Sequence, residues 1–142
     1  MGTTSYDSVS VRRNGADIDL KPYHYDTVDF FIPGTQTAAA KKAGSLIARA
    51  GVIVDVRAYV DTAPTGASLI ADVNKNGTSI FTTQANRPTI AAAGNASSTT
   101  APDTTAVAAG DRLTIDVDQI GSGAAGADLY VTVTIRRQHF DS

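Results

Sequence analysis

Three groups of residues in this chain have the types and spacing that chemistry uses. Gly121-Ser122-Gly123-Ala124-Ala125-Gly126 spells the glycine pattern of a dinucleotide-binding turn, in which the third glycine opens a helix whose N-terminus faces a pyrophosphate. Strict alternation begins at Leu129, which leaves no room for that helix, so the segment reads as a flexible hairpin loop. Asp72-Val73-Asn74-Lys75-Asn76-Gly77 places oxygen donors at alternate positions and then a glycine, the first half of an EF-hand calcium loop. Its twelfth position is Thr83 instead of a bidentate glutamate, and both flanks have strand character. Asp72, Asn74 and Asn76 therefore read as a tight hairpin, with a weak calcium site of another geometry as the alternative. The third group is carboxylate. Asp116, Asp118 and Asp128, or Asp55 and Asp61, could meet across neighbouring strands and share acid–base work, but alternating aspartates more commonly form a solvated strand face. His24 and His139 are the two histidines, in opposite terminal regions, and no serine has a Gly-x-Ser-x-Gly setting. The expectation is a protein with no catalytic residues, no metal and no cofactor.

The elements that must position these residues are strands. Leu113, Ile115 and Val117 alternate with Arg112, Thr114, Asp116 and Asp118; Leu129, Val131, Val133 and Ile135 alternate with Tyr130, Thr132, Thr134 and Arg136. A period of two puts one face in a core and the other in water. Residues 52–61 form the longest alternating run, with Val52, Val54, Val56, Ala58 and Val60 inward and Ile53, Asp55, Arg57, Tyr59 and Asp61 outward. Residues 27–32 read as a strand ended by Pro33-Gly34, residues 67–73 as a strand after the Ala63-Pro64-Thr65-Gly66 turn, and residues 78–83 as the return from the Asn76-Gly77 hairpin. Residues 36–50 hold the best local case for helix, but Gly44 interrupts them and no amphipathic stripe forms, so only a turn of helix at 38–43 is kept open. Residues 91–106 read as a long loop with one short strand at most.

Residues 1–27 read as an arm or edge hairpin: Val9 and Val11 alternate with polar residues, Asn14-Gly15 is a two-residue turn signal, and residues 17–20 return. Residues 28–142 then form a single domain. Tyr23, His24, Tyr25, Phe30 and Phe31 make an aromatic cluster that serves one of two ends. It anchors the arm on its own core, or it forms the centre of an intersubunit or docking contact, where aromatics are enriched.

Composition agrees with the alternation. All 14 acidic residues are aspartate, with no glutamate in the chain. Thr, Val, Ala and Gly are abundant, which suits strands and turns better than long helices. There is no cysteine, so neither a disulfide framework nor a thiolate metal site is available. A formal charge of −2 gives no basic footprint for nucleic acid or anionic lipid. No apolar run reaches bilayer length, and the first seven residues carry no signal-peptide pattern. The fold expected is all-β: an antiparallel, jelly-roll-like β-sandwich.

Residues 51–137 resemble a family of small β-proteins encoded among the virion genes of tailed bacteriophages. The likeness is carried by Ala63-Pro-Thr-Gly-Ala-Ser-Leu-Ile-Ala-Asp-Val-Asn-Lys-Asn-Gly-Thr-Ser-Ile-Phe81 and Asn86-Arg-Pro-Thr-Ile90, then by Ala109-Gly-Asp-Arg-Leu-Thr-Ile-Asp-Val-Asp-Gln-Ile-Gly-Ser-Gly123 and Ala127-Asp-Leu129. The resemblance implies a non-enzymatic structural component of the phage particle, made in the host cytoplasm, jelly-roll in fold and assembling as a homotrimer. It does not fix head or tail. One expectation is a capsid decoration protein bound to the major capsid protein or other virion proteins. The alternative is a tail or fibre module that binds a host carbohydrate. A large apolar underside would favour the first; exposed aromatics beside Asp and Asn would favour the second.

Overall fold

Leu113, Ile115, Leu129, Val133 and Ile135, the inward residues of the two C-terminal alternating segments, have no solvent exposure. They belong to the two layers of a sandwich. The computed structural model describes residues 9–13, 16–20 and 23–138. Its strands are β1 (Val9–Arg13), β2 (Ala16–Leu20), β3 (Tyr23–Thr35), β4 (Ala39–Leu46), β5 (Gly51–Thr62), β6 (Leu69–Lys75), β7 (Thr78–Ser79), β8 (Thr89–Ile90), β9 (Ala106–Val107), β10 (Arg112–Gln119) and β11 (Ala127–Gln138). Among the described residues the helical content is one 3-10 turn at Gln84–Asn86, and no helix is long and apolar enough to cross a membrane.

Every strand pairing is antiparallel. One sheet has the order β3-β11-β5-β9 and the other β4-β10-β6-β7, with β8 also on β6. If the N-terminal hairpin and β8 are set aside, the strands in chain order fill places 1-8-3-6 and 2-7-4-5. Each connection except β6–β7 passes from one sheet to the other. That winding is a jelly roll, and the all-β sandwich expected from alternation is the fold observed. β1 and β2 form a separate two-stranded sheet, with Val9 opposite Leu20 and Val11 opposite Ile18. The Asn14-Gly15 turn signal lies outside the described residues, as does His139.

The core is the space between the sheets. Leu69, Ala71 and Val73 of β6 and Leu113, Ile115 and Val117 of β10 meet Phe30, Ile32, Val56, Ala58, Val60 and the inward residues of β11. Ile47, Ile80, Phe81, Ile90 and Val107 from the connections complete it. Each such aliphatic or aromatic side chain contributes about 1.5–3 kcal/mol on leaving water.

The structure corrects five sequence readings. The turn of helix at 38–43 is strand β4, because pairing with β10 outweighs the helix preference of Ala and Lys. β5 changes phase: Ile53 is buried while Val52 and Val54 are half-buried, since a register shift between Thr134 and Ile135 places Asp55 and Ile53 as consecutive partners. The strand at 27–32 extends to Tyr23–Thr35, over Pro33, which an edge strand accommodates because its N–H side needs no partner. It also crosses the arm–domain boundary expected at residue 28. The strand at 78–83 shortens to Thr78–Ser79, after which Ile80 and Phe81 turn into the core. Finally, β10 and β11 lie in different sheets, so residues 120–126 are a crossover and not a hairpin loop.

Candidate interaction face

β3 places its odd-numbered residues outward and its even-numbered residues toward the interior, and this divides the aromatic cluster. Tyr23, Tyr25 and Phe31 are exposed at 54%, 63% and 50%, whereas Phe30 is in the core. His24 is half-buried on the inner side, with Nε2 3.6 Å from Asp26 Oδ2. The cluster therefore splits: Phe30 packs in the core, while Tyr23, Tyr25 and Phe31 face solvent.

β11 lies between β3 and β5, and its Tyr130 is the register partner of Phe31 on one side and of Tyr59 on the other. The three rings form one row across the sheet, with centroids 4.7 Å and 6.0 Å apart. Cross-strand aromatic neighbours of this kind stabilise a sheet by a few tenths to about 1 kcal/mol. Tyr130 donates its hydroxyl to Asp61 Oδ2 at 3.1 Å, and this bond is the main cause of a phenol pKa raised above the ordinary value. Arg57, Tyr59, Ser97, Thr99, Tyr130 and Thr132 line a groove beside the row. At the other end of β3, the Arg136 guanidinium stands 5.3 Å from the Tyr23 ring centre, within cation–π range. Tyr59 and Tyr130 were legible as outward residues, but not as neighbours of Phe31. That relation exists only once β11 is known to insert between β3 and β5.

The other chemical candidates are held by local structure. Asp72 is buried on β6 and accepts from Ser79 Oγ at 2.8 Å and from the Val73 amide at 2.8 Å. Burial is the largest influence on it and raises its pKa. Asn74 donates to Asp116 Oδ2, while Asn76 donates to Asp111 Oδ1 and accepts from the Arg112 amide. Asp118 pairs with Arg87 at 2.6 Å, and Asp128 accepts from the Gly34 amide at 2.7 Å. Asp116, Asp118 and Asp128 thus serve separate partners. Among the described residues no three His or Asp side chains are grouped so that they could hold a metal ion. The glycine pattern at 121–126 also has a structural use. A Cβ on Gly121 would come within 1.9 Å of the Ala124 carbonyl and 2.8 Å of the Thr65 carbonyl. The loop is pinned there by bonds from Gly123 N to Thr65 O, Thr65 N to Ala124 O and Ala124 N to Thr65 Oγ1. It is a packed crossover, not a flexible one.

The outer face of the β3–β11–β5 sheet is therefore where the exposed aromatic residues of the described molecule gather. It combines an aromatic row, mixed charge and a sheet edge. Comparison of the chain with protein-family models finds none that matches, and no curated protein matches it in sequence.

Proposed function

We propose that this chain is a non-enzymatic structural protein of a tailed-phage virion, made in the host cytoplasm and displayed on the particle surface. In this reading it decorates the capsid as a homotrimer, bound to the major capsid protein and stiffening the shell. The observation that carries the reading is β3, a 13-residue strand that ends its sheet and exposes Tyr23, Tyr25 and Phe31. A long aromatic edge invites pairing with another chain, and soluble monomers normally blunt such edges with charge, bulges or covering loops. The resemblance of residues 51–137 to phage structural proteins supplies the kind of partner. A jelly roll stabilised by apolar burial suits a part that must persist outside the cell. The test is to add the purified chain to heads of the encoding phage that lack it. Wild type should co-sediment with the heads and raise their thermal rupture temperature. Tyr25→Ala/Phe31→Ala, altering only exposed side chains, should bind at least tenfold more weakly. No co-sedimentation would contradict the proposal.

A second reading, a tail or fibre module that binds host carbohydrate, draws on a different observation. Among the described residues the exposed large apolar side chains are five aromatics and Leu46, which makes the face aromatic instead of broadly aliphatic. Tyr59 and Tyr130 stand beside Asp61, whose backbone carbonyl accepts from Asn95. Ring faces flanked by carboxylate and amide suit the alternating apolar and hydroxyl surfaces of a sugar. Titration with glucose, galactose, rhamnose and N-acetylglucosamine, followed by tyrosine fluorescence, tests it. A saturable change lost in Tyr59→Ala would favour this module, and no response to any sugar would remove it.

A further inference from the structure

We infer that the groove beside Tyr59 and Tyr130 binds an acidic sugar, with its carboxylate on Arg57 and its ring against the two tyrosines. The inference rests on the carbohydrate reading of this face and narrows it to one class of ligand. The groove holds about 430 Å³, within the roughly 300–1,000 Å³ of small-molecule sites. Its floor is the outer face of β5 and β11, where Tyr59 and Tyr130 are 45% and 40% exposed.

The wall is built in advance. Residues 95–100 run along the side of β5 that faces away from β11. Val56 N donates to Thr100 O and Thr100 N returns to Val56 O, Ser97 N donates to Ala58 O, and Val60 N donates to Asn95 O, all at 2.8–3.1 Å. Side chains add to these ties: Ser97 Oγ accepts from the Ala58 amide, and Asn95 Nδ2 donates to the Val60 carbonyl. The segment behaves as a short further strand, so a ligand need not order the groove on entering it.

The polar groups set the charge and direction of the ligand. Arg57, Tyr59 and Asp61 are exposed residues at alternate positions of β5, so successive side chains stand about 7 Å apart. Asp61 accepts from the Tyr130 hydroxyl at 3.1 Å, which holds that ring and puts a carboxylate at one end. Arg57 stands at the other end, and among the described residues it has neither a hydrogen-bond nor an ion-pair partner. Asp29 lies across Thr132 in the same row and accepts from Thr27 instead, and Asp55, two residues before Arg57 on β5, does not pair with it. A free guanidinium presents two parallel N–H donors, the arrangement that a carboxylate accepts. Thr132 and Thr99 add hydroxyls to the lining. A neutral sugar would cover the tyrosines and leave Arg57 unused. A simple anion would reach Arg57 and leave the rings bare. An acidic sugar uses both, and repulsion from Asp61 fixes which way it lies.

Isothermal titration of the full chain tests the inference. The probes are the methyl glycosides of glucuronic and galacturonic acid against those of glucose and galactose, N-acetylneuraminic acid against its methyl ester, and acetate alone. At least one acidic sugar should bind about tenfold more tightly than its neutral counterpart and than acetate, the effect of one charge-assisted contact. Arg57→Leu should remove that preference and keep neutral-sugar binding. Arg57→Lys, which keeps the charge without the fork, should retain only part of the preference. Tyr59→Ala should weaken both kinds of sugar. Both side chains are exposed, so thermal melts of the variants should match wild type. Neutral sugars that bind as tightly as acidic ones would overturn the inference and leave the carbohydrate reading standing. Acetate that binds as tightly would also overturn it, by reducing the site to a plain anion contact. No response to any sugar would remove the inference and the reading together.

Discussion

Arg137 of β11 donates from Nε to Asp26 Oδ2 of β3 at 2.6 Å, across 111 residues of sequence. The same guanidinium donates from Nη1 to the backbone carbonyls of Arg49 and Ala50, which tie down the chain leading into β5. The arginine side chain is 7% exposed and its carboxylate partner 45%. This ion pair closes the end of the sandwich where the β3 edge begins.

Asp26→Ala should therefore destabilise the fold by about 1–3 kcal/mol. That is less than a fully buried pair would lose, because solvent already screens the carboxylate. Arg137→Met, which removes the ion pair and also leaves the Arg49 and Ala50 carbonyls without their donor, should cost more than Asp26→Ala. Urea unfolding of the two variants checks the order.

Two aspartates should give opposite pH signatures. Burial raises the pKa of Asp72, so between the unfolded value and the folded one the native state holds more protons, and stability falls as pH rises through that window. Asp72→Asn should raise the urea midpoint near pH 7 and leave it nearly unchanged at about pH 3, where the native carboxyl is already protonated. Asp111 is shifted downward, chiefly by the Ala108 amide. Its contribution is present above the ordinary carboxylate range and is lost as pH falls through the lowered folded value. Asp111→Asn should thus lower the midpoint near neutrality, by an amount that shrinks in acid.

Gly121→Ala should be costly for steric reasons, since its methyl group would meet the Ala124 and Thr65 backbones. A loss of about 1–3 kcal/mol is expected from overpacking. Gly77→Ala meets no atom but keeps a φ of +92°, so its cost is conformational and about 1 kcal/mol. Thermal melts of both variants separate the two causes. Adding NAD should shift neither melt, because the glycines at 121–126 serve a packed crossover.

These cases mark what could be read in the sequence. Leu113, Ile115 and Val117, like Leu129, Val131, Val133 and Ile135, announced their burial through alternation alone, because period two is a local property of the chain. Ile53 did not, because the bulge that reverses its phase depends on how β11 pairs with β5. Ala39 and Lys42 point locally to helix and become strand only through β10, which lies some seventy residues further on. The aromatic site divides in the same way. Tyr23, Tyr25 and Phe31 stood out as a cluster, while Tyr59 and Tyr130 joined them through non-local register.

The most direct measurement is the protein content of density-gradient-purified particles of the encoding phage, by quantitative mass spectrometry. The account predicts that this chain is present at a fixed ratio to the major capsid protein, in a multiple of three per symmetry-related site. Its absence from particles, while abundant in the infected-cell lysate, would contradict a structural role in the virion.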